Sequence, residues 1–326
     1  MKRIIVEEYG GPENLVMTDS EPPSPGPGEV LIRIRAAGIN PVDVYRRAGS
    51  QGYAPDLPFC PGFEGAGEVI SIGAGGEDSR FVFAPGDRVY VAWSKTGTYG
   101  QWCLADAAQV FPLPMGLSWS EGAALFVNYF TAYRALMLRG GAVSGERVLV
   151  HGASGGVGLA ALQWCSFLGN PVWGTAGSVE GRELISGWGA AWTADHGDPR
   201  EVSALARDAG GFDLVLEMRA EKNLDADLDY LAPGGRIMVI GSRGETPITP
   251  RKTMGIEADI RGVVLFRNSD ADNMSIHRAL EKAIASRDIQ PVIRAEYPMA
   301  EAPRAHEELM REKASGKRIL VCDPPD

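Results

Sequence analysis

The chain has 326 residues, 44% of them hydrophobic and 23% charged, with a formal net charge of −10. That size accommodates two domains with separate cores, and the acidic balance, with no run of Lys and Arg, excludes a nucleic-acid backbone as the main partner. No window reaches membrane-spanning length, and the N-terminal MKRIIVEEY alternates like a strand without the apolar stretch of a signal peptide, so no membrane partner and a cytoplasmic location are expected.

Residues 1 to about 120 read as β-rich. Val30–Arg35, Glu68–Ile72 and Arg88–Val91 carry strand patterns, and Pro/Gly clusters at 22–28 and 84–87 punctuate them. Short strands between dense turn signals predict an antiparallel, barrel-like domain. From about 120 the texture changes. Ser120–Leu138 has helical spacing with Ser120 as its cap, and strands and helices then alternate. Strands are expected at Arg147–Val150, Val172–Thr175, Asp213–Leu216, Arg236–Ile240 and Ile260–Leu265, with helices at Leu159–Leu168 and Glu180–Trp188. That alternation predicts a parallel α/β sheet. The tail adds a helix (Ala271–Ser286), a short strand (Pro291–Ile293), a helix (Ala302–Ala314) and a last strand (Arg318–Val321).

The most informative stretch is VLVHGASGGVG, Val148–Gly158. A β-branched run ends in a glycine-dense turn that opens a helix, and a second strand follows within a βαβ unit's length. Gly152 permits the tight turn, Gly155 and Gly156 let the backbone approach phosphate oxygens, and Gly158 lets the helix pack close to the strand. This pattern predicts a dinucleotide pyrophosphate site. The acid that holds the ribose hydroxyls in NAD-binding folds is missing, because the second strand closes on Gly174-Thr175-Ala176-Gly177-Ser178. NADP(H) is therefore expected over NAD(H), with Ser178 donating to the 2′-phosphate and Arg182 or Lys317 supplying charge. A solvated helix face serves Arg182 equally well.

Cys60, Cys103, Cys165 and Cys322 are scattered and form no C-x-x-C pair, and the four histidines lack metal spacing. No metal site is expected. Cys165 reads as a small buried hydrophobe and His151, at a strand end, as a packed side chain.

Several stretches together resemble the medium-chain dehydrogenase/reductase superfamily, in particular its zinc-free, zeta-crystallin-like NADPH:quinone oxidoreductases. They are Gly10-Gly11-Pro12-Glu13, GINPVDVYRRAG (Gly38–Gly49), PGFEGAGEV (Pro61–Val69), YFTAYRAL (Tyr129–Leu136), the glycine turn, GTAGS (Gly174–Ser178), GSRG (Gly241–Gly244) and GVVLF (Gly262–Phe266). The resemblance implies an α/β protein with a GroES-like β-barrel domain (1–123 and 267–326) and a Rossmann doubly wound parallel-sheet domain (124–266). It places the active site in the cleft between them. Zinc-binding cousins carry a Cys where this chain has Asn40 and a His where it has Phe63, so their Lewis acid cannot be assembled from those positions.

By the same resemblance, Asn40 orients an acceptor carbonyl and Tyr45 donates its hydroxyl to cofactor or substrate. On the residues alone, Asn40 suits a turn before Pro41 equally well. Tyr53, Tyr99 and Tyr129 are weaker substrate-wall candidates, and Asp43 reads as a hydrogen-bonding scaffold. Thr131, with Tyr133, is implied at the nicotinamide end, and Ser154, Gly155, Gly156 and Val157 along the pyrophosphate. Gly177, Ser178 and His196 are implied at the adenosine phosphate. Asn223, Gly241, Ser242, Arg243, Val263, Val264 and Leu265 are implied along the remaining cofactor edge, and Lys317 near the 2′-phosphate. A helix cap remains open for Asn223 and a solvated surface for Arg243.

The expected activity is hydride or electron transfer from NADPH to a quinone or activated enone, without metal or flavin. The alternatives are C=C reduction of an enoyl thioester or enone, and a non-catalytic NADPH-binding protein. Ile260–Leu265 reads as a sheet edge, and a homodimer is expected through it.

Overall fold

The computed structural model describes residues 1–50, 52–74, 81–312 and 315–322. The chain divides into two compact units, Met1–Val127 with Pro291–Glu312 and Lys317–Asp326, and Asn128–Gln290 with Lys313–Gly316.

In the first unit β1 (Lys2–Ile5) and β2 (Val16–Asp19) form an antiparallel ribbon. Then come β3 (Glu29–Ile39), α1 (Pro41–Arg47), β4 (Gly65–Ile72), β5 (Arg88–Val91), β6 (Trp102–Asp106), β7 (Val110–Pro112) and α2 (Trp119–Gly122). In the second unit, α3 (Thr131–Tyr133) lies between two π-helical turns, Phe126–Phe130 and Arg134–Arg139. After it run β8 (Val148–Val150), α4 (Gly156–Leu168), β9 (Val172–Thr175), α5 (Val179–Gly187), β10 (Trp192–Ala194), α6 (Pro199–Ala209), β11 (Phe212–Glu217), α7 (Ala220–Tyr230), β12 (Leu231–Val239), α8 (Pro250–Ile256), β13 (Asp259–Gly262) and α9 (Asp270–Ala285). The chain returns to the first unit for β14 (Ile293–Pro298), α10 (Ala302–Arg311) and β15 (Lys317–Val321).

The first unit's larger sheet has the order β14-β15-β3-β4-β5-β7, with β6 also on β3. All its pairings are antiparallel except β14 with β15. Ile32, Ile34, Val89, Val110 and Leu320 bury their side chains in its core. The second unit's sheet has the order β10-β9-β8-β11-β12-β13, and every pairing is parallel. The order turns at β8 and β11, which gives a doubly wound sheet its ligand-binding crevice.

Five expected boundaries move. The long helix from Ser120 begins instead with Ser118, whose hydroxyl accepts from Glu121 N (3.2 Å) while the Glu121 carboxylate accepts from Ser118 N (2.8 Å). It stops at Gly122, and helical backbone resumes at Phe126 as π turns, where Trp164 Nε1 donates to the Tyr129 carbonyl (3.0 Å), taking an acceptor from the helical ladder. The short strand expected at Pro291–Ile293 is Ile293–Pro298, set by parallel pairing with β15. The strand expected over Ile260–Leu265 is β13, and Leu265 already starts a 3₁₀ turn. The return to the first unit comes at Pro291, not 267. The α9 helix buries Met274, Ile276 and Leu280, and Asn268 just before it accepts from Arg134 Nη1 (2.6 Å) within the second unit. The helix expected over Ala302–Ala314 is α10, and residues 313 and 314 lie outside the described residues.

Two buried histidines give the fold an acid dependence. His306 sits between Tyr99 Oη (2.9 Å) and Arg47 Nη1 (3.4 Å), and burial followed by the Arg47 charge pushes its pKa down to about 3. Burial, then Arg278, takes His277 down to about 4. Both rings are neutral in the folded chain but protonated in the unfolded chain below about pH 6.5. Stability therefore falls as pH drops from about 6.5 toward 4, by up to about 1.4 kcal/mol per pH unit for each ring. Urea unfolding between pH 7 and 5 should show this slope, and His306→Gln should remove one ring's share. A slope unchanged by that substitution contradicts the assignment.

Candidate functional site

In the second unit β8 ends at Val150 and α4 begins at Gly156, with Gly155 as a cap that has no side chain to offer. The first N–H groups of α4 are therefore left for an anion. Gly152 adopts φ +61°, the left-handed conformation the turn requires. A Cβ on Gly158 would lie 2.5 Å from Ala153 Cα and 2.6 Å from Gly152 O, so only glycine allows this helix-to-turn approach. Gly316 N donates to Ser154 O (2.9 Å), and Gly316 forms a parallel bridge with Gly155. The late segment thus lies along the phosphate turn.

The sequence-predicted cofactor residues of this unit gather at one edge. Because all six strands are parallel, their carboxyl ends share a side. Ser154–Val157 follow β8, Gly177 and Ser178 follow β9, His196 follows β10 and Asn223 follows β11. Gly241, Ser242 and Arg243 follow β12, and Val263, Val264 and Leu265 follow β13. Thr131 is buried on α3. Ser178 caps α5, its hydroxyl accepting from Gly181 N (3.0 Å). His196 Nε2 lies 2.6 Å from where a Gly177 Cβ would stand. Arg182 is not simply solvated, since it pairs with Asp195 at 3.2 Å. Asn223 lies inside α7 rather than at its cap, and its amide donates to Glu217 Oε2 (3.1 Å). Ser242 Oγ donates to Gly244 O (2.8 Å) and Arg243 N to Glu221 Oε2 (3.0 Å), which fixes the loop after β12.

The first unit holds a second constellation. Asn40 caps α1, with Pro41 at the first helical position, and Asp43 Oδ2 accepts from Asn40 N (2.9 Å). Asp43 Oδ1 accepts from Gly62 N (3.2 Å), so Asp43 is the scaffold expected of it. Burial pushes Asp43 up to about 7, opposed by the Asn40 N–H and the Lys317 charge. The Asn40 amide is locked at both ends. Its Oδ1 accepts from Lys317 Nζ (2.5 Å) and its Nδ2 donates to Glu64 Oε1 (3.0 Å). Lys317 also pairs with Glu64, and Val127 N donates to Glu64 Oε2 (2.7 Å). Asn40, Glu64 and Lys317 are each at most 3% exposed. Half-buried Tyr45 packs its ring against Tyr53 at 5.4 Å, whereas Tyr99 is buried and bonded to His306; Tyr129, in the second unit, is buried and bonded to Gln163.

This arrangement corrects the role implied for Lys317. Arg318 pairs with Ile39 across β15 and β3, which brings Lys317 beside Asn40 and commits its ammonium to Glu64 instead of a 2′-phosphate. Glu64 was passed over in the sequence, though a single carboxylate among Gly, Ala and Phe signalled a buried charge in need of a partner. The donor set does not fit a zinc ion. Position 40 offers an amide, position 63 a phenyl ring, and an ammonium already stands against the one carboxylate.

Residues 26–138 match the family described as the alcohol dehydrogenase GroES-like domain, and residues 156–281 match the zinc-binding dehydrogenase family. Over 325 residues the chain is 41% identical to the quinone oxidoreductase of Rattus norvegicus and 39% identical to that of Homo sapiens, covering 98% of this chain and 98% of each relative. A mycobacterial protein solved in complex with NADPH is similar at a TM-score of 0.90 and 31% identity, covering 98% of this chain and 99% of that one.

The buried ion pair gives a direct test. Lys317→Met leaves Glu64 charged and uncompensated, and should cost about 3–5 kcal/mol in urea unfolding. Lys317→Met with Glu64→Gln removes both charges and should restore most of the loss. A double variant no more stable than the single one would show that the pair is not the coupled unit.

Proposed function

The chain belongs to the medium-chain dehydrogenase/reductase superfamily, and from its likeness to the quinone oxidoreductases within it we propose that it is an NADPH-dependent quinone oxidoreductase. Bound NADPH supplies a hydride to the quinone, and uptake of a proton completes the hydroquinone. The turn after β8 suits the pyrophosphate, its bare N–H groups meeting the negative charge. The strand end at Thr175, with no carboxylate to repel it, suits a 2′-phosphate beside Ser178 and His196.

The observation that carries the acceptor class is the locked Asn40–Glu64–Lys317 network. An alcohol or an unactivated carbonyl needs a strong electrophile at the reacting oxygen. The chain offers an amide already bonded to a resident ammonium–carboxylate pair. An acceptor that is electrophilic beforehand, as a quinone is, needs only positioning and a proton donor. We assign the donor role to the Tyr45 hydroxyl and the positioning role to the Asn40 segment.

The described residues contain no helix long and apolar enough to cross a membrane, and we place the enzyme in the cytoplasm. We also assign a homodimer through β13, an edge strand in whose neighbourhood Ile260, Val264 and Phe266 are exposed by 37%, 53% and 42%.

NADPH absorbance at 340 nm should fall on adding a 1,4-quinone and stay flat with crotonyl-CoA, with or without a chelator. Tyr45→Phe should lower kcat/KM about 100-fold while NADPH still binds. Turnover lost to the chelator, or confined to the thioester, overturns the reading. Light scattering should give twice the monomer mass, and a monomer mass removes the dimer.

A further inference from the structure

Beneath the phosphate turn lies a buried polar cluster that the proposed reaction does not use. His151, the residue after β8, donates its backbone N–H to Leu216 O (3.0 Å) and so sits where the sheet order turns. Its Nε2 is 2.8 Å from Asp227 Oδ1 on α7 and 3.9 Å from Glu217 Oε2 at the end of β11. Its Nδ1 is 3.1 Å from Thr175 Oγ1 at the end of β9, and that same hydroxyl accepts from Gly152 N (3.2 Å). One imidazole therefore ties three strand ends and a helix to the first residue of the turn. All three titratable side chains are buried, Glu217 and Asp227 completely.

The hydrogen bonds are one proton short. Glu217 accepts from Arg219 N and from Asn223 Nδ2 (3.1 Å). Asp227 accepts from His151 at Oδ1, but its Oδ2 is buried with no donor. Two adjacent buried carboxylates cannot both stay ionised beside a single imidazolium without leaving a net charge in the core. A proton carried by Glu217 supplies the missing donor and leaves an imidazolium, one carboxylate and a neutral acid. Other charged groups on these elements are paired elsewhere: Arg219 with Glu221 (2.6 Å), Asp225 and Asp229 with Lys252 (2.7 and 2.6 Å), and Asp213 with Arg147 (2.8 Å).

We propose that His151, Glu217 and Asp227 are positioning residues for the dinucleotide, a cluster whose shared proton keeps net negative charge from beneath the phosphates and holds Asn223 and the Gly152 turn in place. The inference rests on the NADPH reading above. Burial pushes Glu217 up to about 7, with the Asp227 charge adding to it and His151 opposing. His151 is raised even though burial works against its charged form, because Asp227 stands beside it. The proton is thus retained below about pH 7 and lost above it. The charge left behind repels the phosphates, so NADPH binding weakens as pH rises and takes up at most one proton.

NADPH fluorescence titrations from pH 6.5 to 8.5 test this without turnover, in a range where the nucleotide's own phosphate is mostly ionised. The wild-type Kd should rise about three- to tenfold across the range. Glu217→Gln should bind at the low-pH affinity throughout, with thermal unfolding of the unliganded protein confirming that it is folded. Calorimetry of the wild type at pH 7 in two buffers of different ionisation enthalpy should show net proton uptake on binding, which needs no variant.

A Glu217→Gln profile that tracks the wild type overturns the proposal, as does weak binding by the folded variant at every pH. Zero proton uptake overturns it too, and so does a stoichiometric divalent metal in the wild type that the variant loses. Tight but pH-independent binding to the wild type sinks this inference alone, whereas no NADPH binding at any pH sinks the cofactor reading with it.

Discussion

Six strands hydrogen-bonded in one direction put six carboxyl ends on one edge, and the second unit is organised by that shared polarity. Apart from Thr131 on α3, each expected cofactor residue there follows a strand, so its position is inherited from the ladder rather than from contacts of its own. The constraint is tightest at β8, where Gly158 lets α4 start hard against the turn it leaves. A larger residue there would push the helix away and take the N–H groups of its first turn out of reach of an anion.

Both units solve the same electrostatic problem in different ways. The first buries an ammonium against a carboxylate and fixes an amide between them. The second buries two carboxylates against one imidazole, which leaves its charge to be settled by protons. In the first, ammonium, carboxylate and amide bond one another directly, so the arrangement is held by geometry. The second can change with its surroundings, because imidazole and a desolvated carboxyl titrate near neutrality.

Much of this was legible in the residues. Arg88–Val91 and Val172–Thr175 run as strands over the expected bounds, because β-branched runs between Gly and Pro leave little choice. The glycine turn carries its chemistry locally, so it reads directly. What escaped was whatever depends on partners remote in sequence. Lys317 looked like a free cation near a phosphate, and only the pairing of β15 with β3 reveals Glu64 as its partner. Glu217 closes an apolar strand and Asp227 recurs on a helix face, yet nothing local says they meet His151. The helix from Ser120 failed for the same reason, since the donor that widens it sits on α4.

The bridge between Gly155 and Gly316 has a consequence for the chain as it is made. Strands β8 to β13 can pair as they emerge from the ribosome, since each adds beside a neighbour already synthesised or soon to be. The turn after β8 is different, for the residue that lies along it is translated long after the sheet is complete. Every strand of the sheet is therefore made before the residue that completes the edge of the turn.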